Sequence, residues 1–291
     1  MRIWPDCIPC ILKMTLGIAR LVMKDEDQVR RFMEQVINLR YFRGEDWRVT
    51  SPEVIKTVWL KLLEASGVID PMKGIKKEQN RKALEVYPIA KELVLKNRDP
   101  FIEAVKLAIA GNSIDAMTDV KGEVPEKILE DWHKFKVDGE NLNRLKERLK
   151  KTRRLIYLGD NCGEIVFDML LIEVLREIYR PEITFITRTF PVLNDATLED
   201  AISVGIGKVA QIMENGLSEP LPGTFLKKID RELKEQIEAS DLIISKGGGN
   251  YDSLTEEEGL KEKISFLFLA KCHPYCSIHN VPLGAPIVYN F

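Results

Sequence analysis

The chain has 291 residues, of which 45% are hydrophobic and 30% charged, and its formal net charge is −2. This composition is typical of a soluble globular protein and excludes a disordered one. The small net charge argues against a protein that coats nucleic acid, which needs a basic excess. No apolar run approaches the ~20 residues that cross a bilayer, and no signal-peptide core is visible, so we expect a cytoplasmic protein of at most two domains.

The first half of the chain predicts helices, because apolar residues recur there at helical spacing and no segment alternates as a strand does. One helix has a clear start, with Ser51 as N-cap and Pro52 at the first helical position, and it ends near Gly67. The other predicted helices cover residues 8–23, 25–39, 76–97, 100–110, 125–136 and 141–154. We predict a helical domain over residues 1–145, and we interpret its last, basic helix as a solvated connector.

From Arg154 onward the pattern alternates between short apolar runs and helical segments. Strands separated by helices favour an α/β domain with a doubly wound, mostly parallel sheet over residues 146–291. The predicted strands cover residues 154–158, 183–188, 208–213, 241–245, 264–270 and 286–290. The predicted helices between them cover residues 164–179, 197–204, 225–239 and 251–259.

The stretch 155–168 is the most informative part of the sequence. An apolar run stops at Gly159, Asp160 and Asn161 follow at once, and a helical pattern begins after Gly163. This order predicts a strand, a tight turn and a helix, with a carboxylate and a carboxamide at the carboxyl end of the strand. Ligands of open α/β sheets bind at that edge, and two hard oxygen donors there favour a divalent cation.

Two more predicted strand ends carry polar clusters, and the helical half adds a third. We expect the strand ends to converge on one site, although each cluster alone is also what a turn or a helix cap would look like. The residues concerned are Arg188, Asn194 and Asp195 after one strand, Lys246, Gly247–Gly249 and Asn250 after another, and Asn112 and Asp115 in the helical half.

Together these clusters supply what metal-assisted phosphoryl hydrolysis requires. Asp160, Asn161 and Asp195 give an incomplete oxygen shell that suits Mg²⁺ or Mn²⁺. Lys246 and the glycines that begin at Gly247 are interpreted as an anion cradle. Arg188 is interpreted as a second phosphate clamp, and Asn112, Asp115 and Asn250 as residues that orient the substrate.

The five cysteines raise a second question. Cys7 and Cys10 form a Cys-x-x-Cys motif, and Cys272 and Cys276, with His279 nearby, form a second group. If the two groups meet in space, they provide a thiolate metal site or a redox centre. Buried thiols without either role are the open alternative, since disulfides are rare in a cytosolic setting.

At these residues the chain resembles the metal-dependent damage-control phosphatase family, whose acidic-residue-methyltransferase-like fold was formerly a domain of unknown function. The resemblance is carried by four elements in order, and the N-terminal Cys-x-x-Cys motif resembles that of the stand-alone prokaryotic branch. The elements are Ala110-Gly-Asn-Ser-Ile-Asp115, Gly159-Asp-Asn-Cys-Gly-Glu-Ile-Val-Phe-Asp168, Leu193-Asn-Asp-Ala-Thr-Leu-Glu-Asp-Ala201 and Ser245-Lys-Gly-Gly-Gly-Asn250.

The resemblance implies a helical bundle joined to a Rossmann-like domain and the hydrolysis of phosphate monoesters of damaged or surplus metabolites, such as sugar phosphates or nucleotide-related compounds. It also implies one Mn²⁺ or Ni²⁺ ion, with Co²⁺ or Mg²⁺ as alternatives, held by Asp160, Asn161 and Asp195. Three rival functions stay open: an enzyme with Asp160 as covalent phosphoryl acceptor, a methyltransferase that uses S-adenosylmethionine, and a non-enzymatic metal- or thiol-binding module.

Overall fold

The structure is a computed structural model that describes residues 1–115 and 125–291. Its first part is helical, and the helix bounds lie close to those that the apolar periodicity predicts. The last predicted helix of this part, over 141–154, ends earlier because the chain enters a strand at Arg154. The helices are α1 (Cys7–Val22), α2 (Glu26–Ile37), α3 (Ser51–Ser66), α4 (Lys73–Leu95), α5 (Pro100–Gly111), α6 (Pro125–Asp131) and α7 (Gly139–Leu149).

Helix α3 shows how the local sequence sets the ends of an element. Thr50 caps it in a capping box, in which the Glu53 carboxylate accepts the backbone N–H of Thr50 at 2.9 Å. Ser51, the predicted N-cap, is therefore the first helical residue. The helix ends at Gly67, which has the left-handed φ of +69° that favours glycine after a helix.

The second part of the chain forms one six-stranded sheet in the order β3-β2-β1-β4-β5-β6. Strands β1 to β5 are parallel, and β6 pairs antiparallel with β5. This confirms the predicted α/β class and the mostly parallel sheet. The strands are β1 (Arg154–Leu158), β2 (Glu182–Thr187), β3 (Gln211–Glu214), β4 (Leu242–Lys246), β5 (Ile264–Leu269) and β6 (Pro286–Asn290).

The helices that follow in this part are α8 (Glu164–Ile178), α9 (Leu198–Val204), α10 (Arg231–Ala239), α11 (Gly247–Leu254) and α12 (His273–His279). Helix α11 begins at the glycines interpreted as an anion cradle and overlaps only the start of the helix predicted over 251–259, and α12 was not predicted. The glycines conceal the start of α11, because glycine disfavours helix by about 1 kcal/mol relative to alanine. Helix α12 has only 7 residues, too few to show a helical period. Within the described residues, no helix is long and apolar enough to cross a membrane.

The strand order reverses between β1 and β4, because β2 and β3 lie on one side of β1 and the later strands on the other. A crevice forms outside the carboxyl ends of strands at such a reversal. The three polar clusters that were predicted at strand ends follow β1, β2 and β4, so each of these three loops begins at this edge.

Helix α5 brings the helical half of the chain to the same edge by packing on α8. Buried residues on both sides of the predicted domain boundary, such as Leu107 and Leu171, belong to one continuous apolar core. At Gly111 a Cβ would lie 2.9 Å from the ring of Phe167, so glycine permits the close approach of the two helices. The end of α5 is thereby held beside the turn after β1.

Candidate active site

A cavity of about 130 Å³ lies at the carboxyl edge of the sheet. The three predicted oxygen donors, Asp160, Asn161 and Asp195, all line it. Most of the rest of the wall comes from the N-terminal residues with α1, the start of α3, the end of α5 and the segments after β4 and β5. It includes Asp6, Cys7, Cys10, Asp115, Gly248, Gly249, Asp252, Lys271, Cys272 and Tyr275.

The turn after β1 places Asp160 in the wall of this cavity. It requires glycine at 159, because a Cβ there would lie 2.5 Å from the ring of Phe185 on β2. The Asp160 carboxylate is nearly buried, and its Oδ2 accepts hydrogen bonds from Asn161 Nδ2 at 2.7 Å and Asn112 Nδ2 at 3.2 Å. Neighbouring amides thus hold this carboxylate in place.

The loop after β2 runs alongside the turn and brings in the second carboxylate. The Ala196 N–H donates to the backbone carbonyl of Asp160 at 2.8 Å, and Asn161 and Asp195 form an antiparallel bridge. These backbone bonds hold the loop against the turn, and Asn194 Nδ2 fixes it further by donating to the Ile114 carbonyl at 3.1 Å. The structure therefore brings the predicted oxygen donors together.

Arg188 connects the two carboxylates. Its Nε donates to Asp195 Oδ2 at 2.6 Å, and its Nη2 lies 3.6 Å from Asp160 Oδ1. Its Nη1 donates to Asn250 Oδ1 at 3.4 Å. Within residues 1–115 and 125–291, the buried Nη2 has no hydrogen-bond partner, which is unusual for a guanidinium. Arg188 does not line the cavity itself, so it lies behind the two carboxylates and not at the position of the predicted phosphate clamp.

Lys246 was predicted to bind phosphate in the cavity, but its side chain does not reach the cavity. Its fully buried Nζ donates to Glu164 Oε1 at 2.6 Å, to Asp168 Oδ1 at 2.6 Å and to the Ala108 carbonyl at 2.9 Å. These bonds use all the hydrogens of the ammonium, so it does not face the cavity. Burial opposes its charge, but the Asp168 and Glu164 carboxylates prevail and raise the pKa of Lys246 to about 12.

Gly247 contributes through its lack of a side chain. A Cβ on it would lie 1.8 Å from Asp160 Oδ2, and its φ is +76°. It therefore lets the first turn of α11 approach the Asp160 carboxylate. The two glycines that follow, Gly248 and Gly249, line the cavity. The predicted cradle is thus the start of a helix, where the first backbone N–H groups have no partner inside the helix.

The other predicted substrate residues divide into two kinds. Asn112 and Asn250 are fully buried, with Asn112 bonded to Asp160 and Asn250 to backbone carbonyls, so both stabilise the site from within. Asp115 lines the cavity and is ion-paired with Lys271. Sequence reasoning missed Lys271, although its place just after β5 is the strand-end signal that identified the other residues.

The electrostatics of the site favour a bound cation. Burial, together with Glu164 and Asp195, raises the pKa of Asp160 well above its usual range. Burial also raises the pKa of Asp195, although Arg188 opposes this shift. Acids whose charged forms are destabilised by burial and by each other are stabilised by a positive ion. A hard divalent cation would supply that charge.

The donor set fits such an ion by its chemistry. Two carboxylates and one amide carbonyl from Asp160, Asn161 and Asp195 are the oxygen ligands that Mg²⁺ and Mn²⁺ prefer. In the part of the chain that the structure describes, no three His, Cys, Asp or Glu side chains form a metal-binding group. The predicted ligand set of Asp160, Asn161 and Asp195 contains only two carboxylates. Its third ligand is an amide oxygen, so a group of three His, Cys, Asp or Glu residues is not required.

The cysteines of the two termini meet at this cavity. Cys7 and Cys10, in the first turn of α1, and Cys272, before α12, all line it as free thiols. Burial raises the pKa of Cys7 to about 11 and that of Cys272 to about 12. His279 lies away from them, against the ring of Tyr251. A metal-binding or redox role of these thiols stays a prediction.

The fold and the site define an α/β protein with an acidic, oxygen-rich pocket at the reversal of its strand order. Residues 3–287 match the damage-control phosphatase ARMT1-like domain. A damage-control phosphatase of Archaeoglobus fulgidus is 33% identical over 291 residues, covering 98% of this chain and 97% of that one. Another, from Pyrococcus horikoshii, is 32% identical over 286 residues, with 98% and 96% covered.

The solved structures agree with these relatives. The crystal structure of a DUF89 family protein from Pyrococcus horikoshii superimposes with a TM-score of 0.85 at 30% identity, over 100% of this chain and 99% of that one. The chain belongs to the damage-control phosphatase ARMT1-like family. This confirms the family that the sequence motifs indicated.

Proposed function

We propose that this protein is a metal-dependent phosphomonoesterase that hydrolyses damaged or surplus small metabolites, such as sugar phosphates or nucleotide-related compounds. The observation that carries the proposal is the convergence of Asp160, Asn161 and Asp195 on one cavity wall beside Arg188. Membership of a family whose relatives are named damage-control phosphatases supports the phosphate chemistry.

The metal would be held by Asp160, Asn161 and Asp195, and we propose Mn²⁺ or Ni²⁺, with Co²⁺ or Mg²⁺ as alternatives. When bound, such an ion polarises a phosphoryl oxygen and makes a coordinated water more acidic. The ion would be attracted by the Asp160 and Asp195 carboxylates, and its positive charge would in turn offset the burial that raises their pKa values.

The chain's own cations and N–H groups would bind the phosphoryl group. Lys271 holds a positive charge at the cavity wall, and Arg188 adds a second one behind the Asp160 and Asp195 carboxylates. Backbone N–H groups in the first turn of α11, at Gly248 and Gly249, suit an anion as well. Donors fixed before the reaction stabilise the charge that develops on phosphoryl oxygens.

The test is phosphate release from a panel of phosphate esters, measured with Mn²⁺, Ni²⁺, Co²⁺ and Mg²⁺ in turn. We expect Asp160→Asn to lower kcat/KM at least about 100-fold, as loss of a charge-stabilising group does. The control is Asp27→Asn, since the Asp27 side chain is 70% exposed in a surface ion pair. Metal-loaded Asp160→Asn with wild-type rates would overturn the proposal.

The same preparation separates the rival functions. A phospho-enzyme trapped by acid quench would identify Asp160 as a covalent phosphoryl acceptor. Calorimetry with S-adenosylmethionine tests the methyltransferase alternative. Elemental analysis that finds only zinc, lost when Cys7 and Cys10 are changed to Ser, would favour the thiol-binding module.

A further inference from the structure

Glu164, the first residue of α8, joins the buried lysine to the amides of the site. It is fully buried, and each of its carboxylate oxygens is used. Oε1 accepts from Lys246 Nζ at 2.6 Å. Oε2 accepts from Asn161 Nδ2 at 3.0 Å and from Asn112 Nδ2 at 3.0 Å. The carboxylate is therefore a bridge between a fixed positive charge and two amide groups.

The orientation of the Asn161 amide depends on these acceptors. The nitrogen and oxygen of a carboxamide have nearly the same shape, so hydrogen-bond partners decide which way the group points. Asn161 Nδ2 faces two groups that only accept, Asp160 Oδ2 at 2.7 Å and Glu164 Oε2 at 3.0 Å. The carbonyl oxygen is therefore turned to the opposite side. Cations bind that oxygen and not the NH₂ group.

Lys246 makes this arrangement compatible with burial. A carboxylate out of contact with water is costly unless a cation and hydrogen bonds compensate it. Lys246 compensates both Glu164 and Asp168, and its remaining hydrogen is held by the Ala108 carbonyl. The ammonium has no freedom to turn toward the cavity. Its contribution to the site passes through Glu164.

We propose that Glu164 is a positioning residue that keeps the Asn161 carbonyl oxygen available to the metal, and that Lys246 acts through it. The inference rests on the proposed metal-dependent function. It assigns Lys246 an indirect role, in place of the phosphate contact that the sequence predicts. It also predicts that the polarity of the hydrogen bond between residues 161 and 164, and not the negative charge of residue 164 alone, sets the metal affinity.

The test is Mn²⁺ affinity, measured by isothermal titration calorimetry on metal-free protein. In Glu164→Gln, one amide cannot accept from both Lys246 and Asn161, so an NH₂ group opposes one of these donors. We expect Mn²⁺ to bind about 10-fold to 100-fold more weakly, the range for lost partners of metal ligands. The control is Glu103→Gln, a buried glutamate on α5 that pairs with Lys106, which should bind Mn²⁺ as the wild type does.

The decisive variant removes the competing donor. In the double variant E164Q/K246M no ammonium competes for the amide oxygen of residue 164, so that oxygen is free to accept from Asn161 and Asn112 as the carboxylate does. Asp168 keeps the Tyr157 hydroxyl as its donor. The net charge equals that of the wild type, so we expect the double variant to regain most of the Mn²⁺ affinity that Glu164→Gln loses. A role in packing alone would not produce this rescue.

The outcomes separate the two proposals. Wild-type protein that binds no divalent metal overturns the proposed function. Wild-type protein that binds Mn²⁺ and hydrolyses phosphate esters, beside a folded Glu164→Gln of equal affinity, overturns the positioning role alone. Circular dichroism checks folding. If Glu164→Gln does not fold, the double variant decides the matter: it must fold and bind Mn²⁺ within about tenfold of the wild type, and failure to do so overturns the role.

Discussion

The α-carbon of Gly247 stands against the carboxylate of Asp160, so that a Cβ would lie 1.8 Å from Oδ2. Gly247 follows β4 and Asp160 follows β1, the two neighbouring strands between which the strand order reverses. The space for this carboxylate therefore exists only because residue 247 is glycine. The sequence suggests that these glycines bind phosphate. The first of them, Gly247, instead makes room for Asp160, a proposed metal ligand.

Gly247→Ala should accordingly abolish metal binding. The new methyl group displaces the Asp160 carboxylate, so we expect Mn²⁺ affinity and phosphatase activity to be lost together. Gly67→Ala is the matched control, since Gly67 has a similar φ of +69° and nothing within 4 Å of its Cβ position. That control should cost only the roughly 1–2 kcal/mol of a left-handed backbone. Mn²⁺ titration and urea unfolding of both variants check this, and undiminished Mn²⁺ binding by Gly247→Ala would contradict it.

Arg188 Nε and Asp195 Oδ2 form an ion pair at 2.6 Å that is almost without exposure to solvent. Arg188→Met leaves a buried carboxylate without its cation, which we expect to lower the free energy of unfolding by about 3–5 kcal/mol. Adding Asp195→Asn should restore part of this loss, because the residual charge is removed. Arg30→Met, which breaks an exposed pair with Asp27, should cost at most about 1 kcal/mol. Urea unfolding of the wild type, Arg188→Met, Asp195→Asn and the double variant forms the cycle, and simple additivity would contradict the coupling.

Much of this site could be predicted because it follows from chain order. Asp160 follows the carboxyl end of β1, Lys246 ends β4, and Asp195 lies in the loop after β2. The carboxyl ends of parallel strands share one edge of the sheet. The backbone pairing of Asn161 with Asp195 then completes the donor set. No knowledge of side-chain packing is needed for that step.

The direction of Lys246 could not be predicted in the same way. A side chain on a strand points to one face or the other, and only the packing of α5 and α8 shows that this face is closed and carries two carboxylates. The start of α11 at Gly247 was also hidden, because glycine is a poor helix former. Both misjudgements concern residues whose role depends on distant elements.

We expect the free energy of unfolding to depend on pH through the buried carboxyl group of Asp252. Burial raises its pKa to about 6, although the N-terminal amine and hydrogen bonds from Ser51 and Tyr275 oppose the shift. The folded protein therefore binds this proton more tightly than the unfolded chain, whose aspartates titrate near ~3.9. The free energy of unfolding should fall as pH rises from about 4 to about 6 and then level off, by up to roughly 3 kcal/mol from this group.

Asp252→Asn should remove that fall. We expect the free energy of unfolding of this variant, relative to the wild type, to improve steadily between about pH 4 and about pH 6. Urea unfolding at a series of pH values measures the difference, and Asp27→Asn, at an exposed position, serves as the control. A constant difference between Asp252→Asn and the wild type over this range would show that the Asp252 pKa is not raised.

The thiols of the cavity should react slowly at neutral pH. Because burial raises the pKa of Cys7 to about 11 and that of Cys272 to about 12, few of them are thiolates near pH 7. We expect iodoacetamide to alkylate them at least about 100-fold more slowly than glutathione, with rates still rising at pH 9. Mass spectrometry of timed digests measures both rates. Rapid labelling of Cys7 at neutral pH would instead indicate an activated, redox-competent thiol.

Lys271, which the sequence pattern did not single out, should contribute to phosphate binding in its own right. It lines the cavity that holds Asp160 and Asp195, and its pairing with Asp115 keeps the ammonium at the wall. We expect Lys271→Met to raise KM for phosphate esters about tenfold, the equivalent of about 1.4 kcal/mol, because a charge-assisted contact to the substrate is lost. Mn²⁺ affinity should change much less, since no proposed metal ligand contacts Lys271.

Steady-state kinetics and Mn²⁺ titration of Lys271→Met separate the two effects. The control is Lys134→Met, because the Lys134 side chain is 64% exposed. An unchanged KM beside weakened Mn²⁺ binding would place Lys271 with the metal site instead of the substrate.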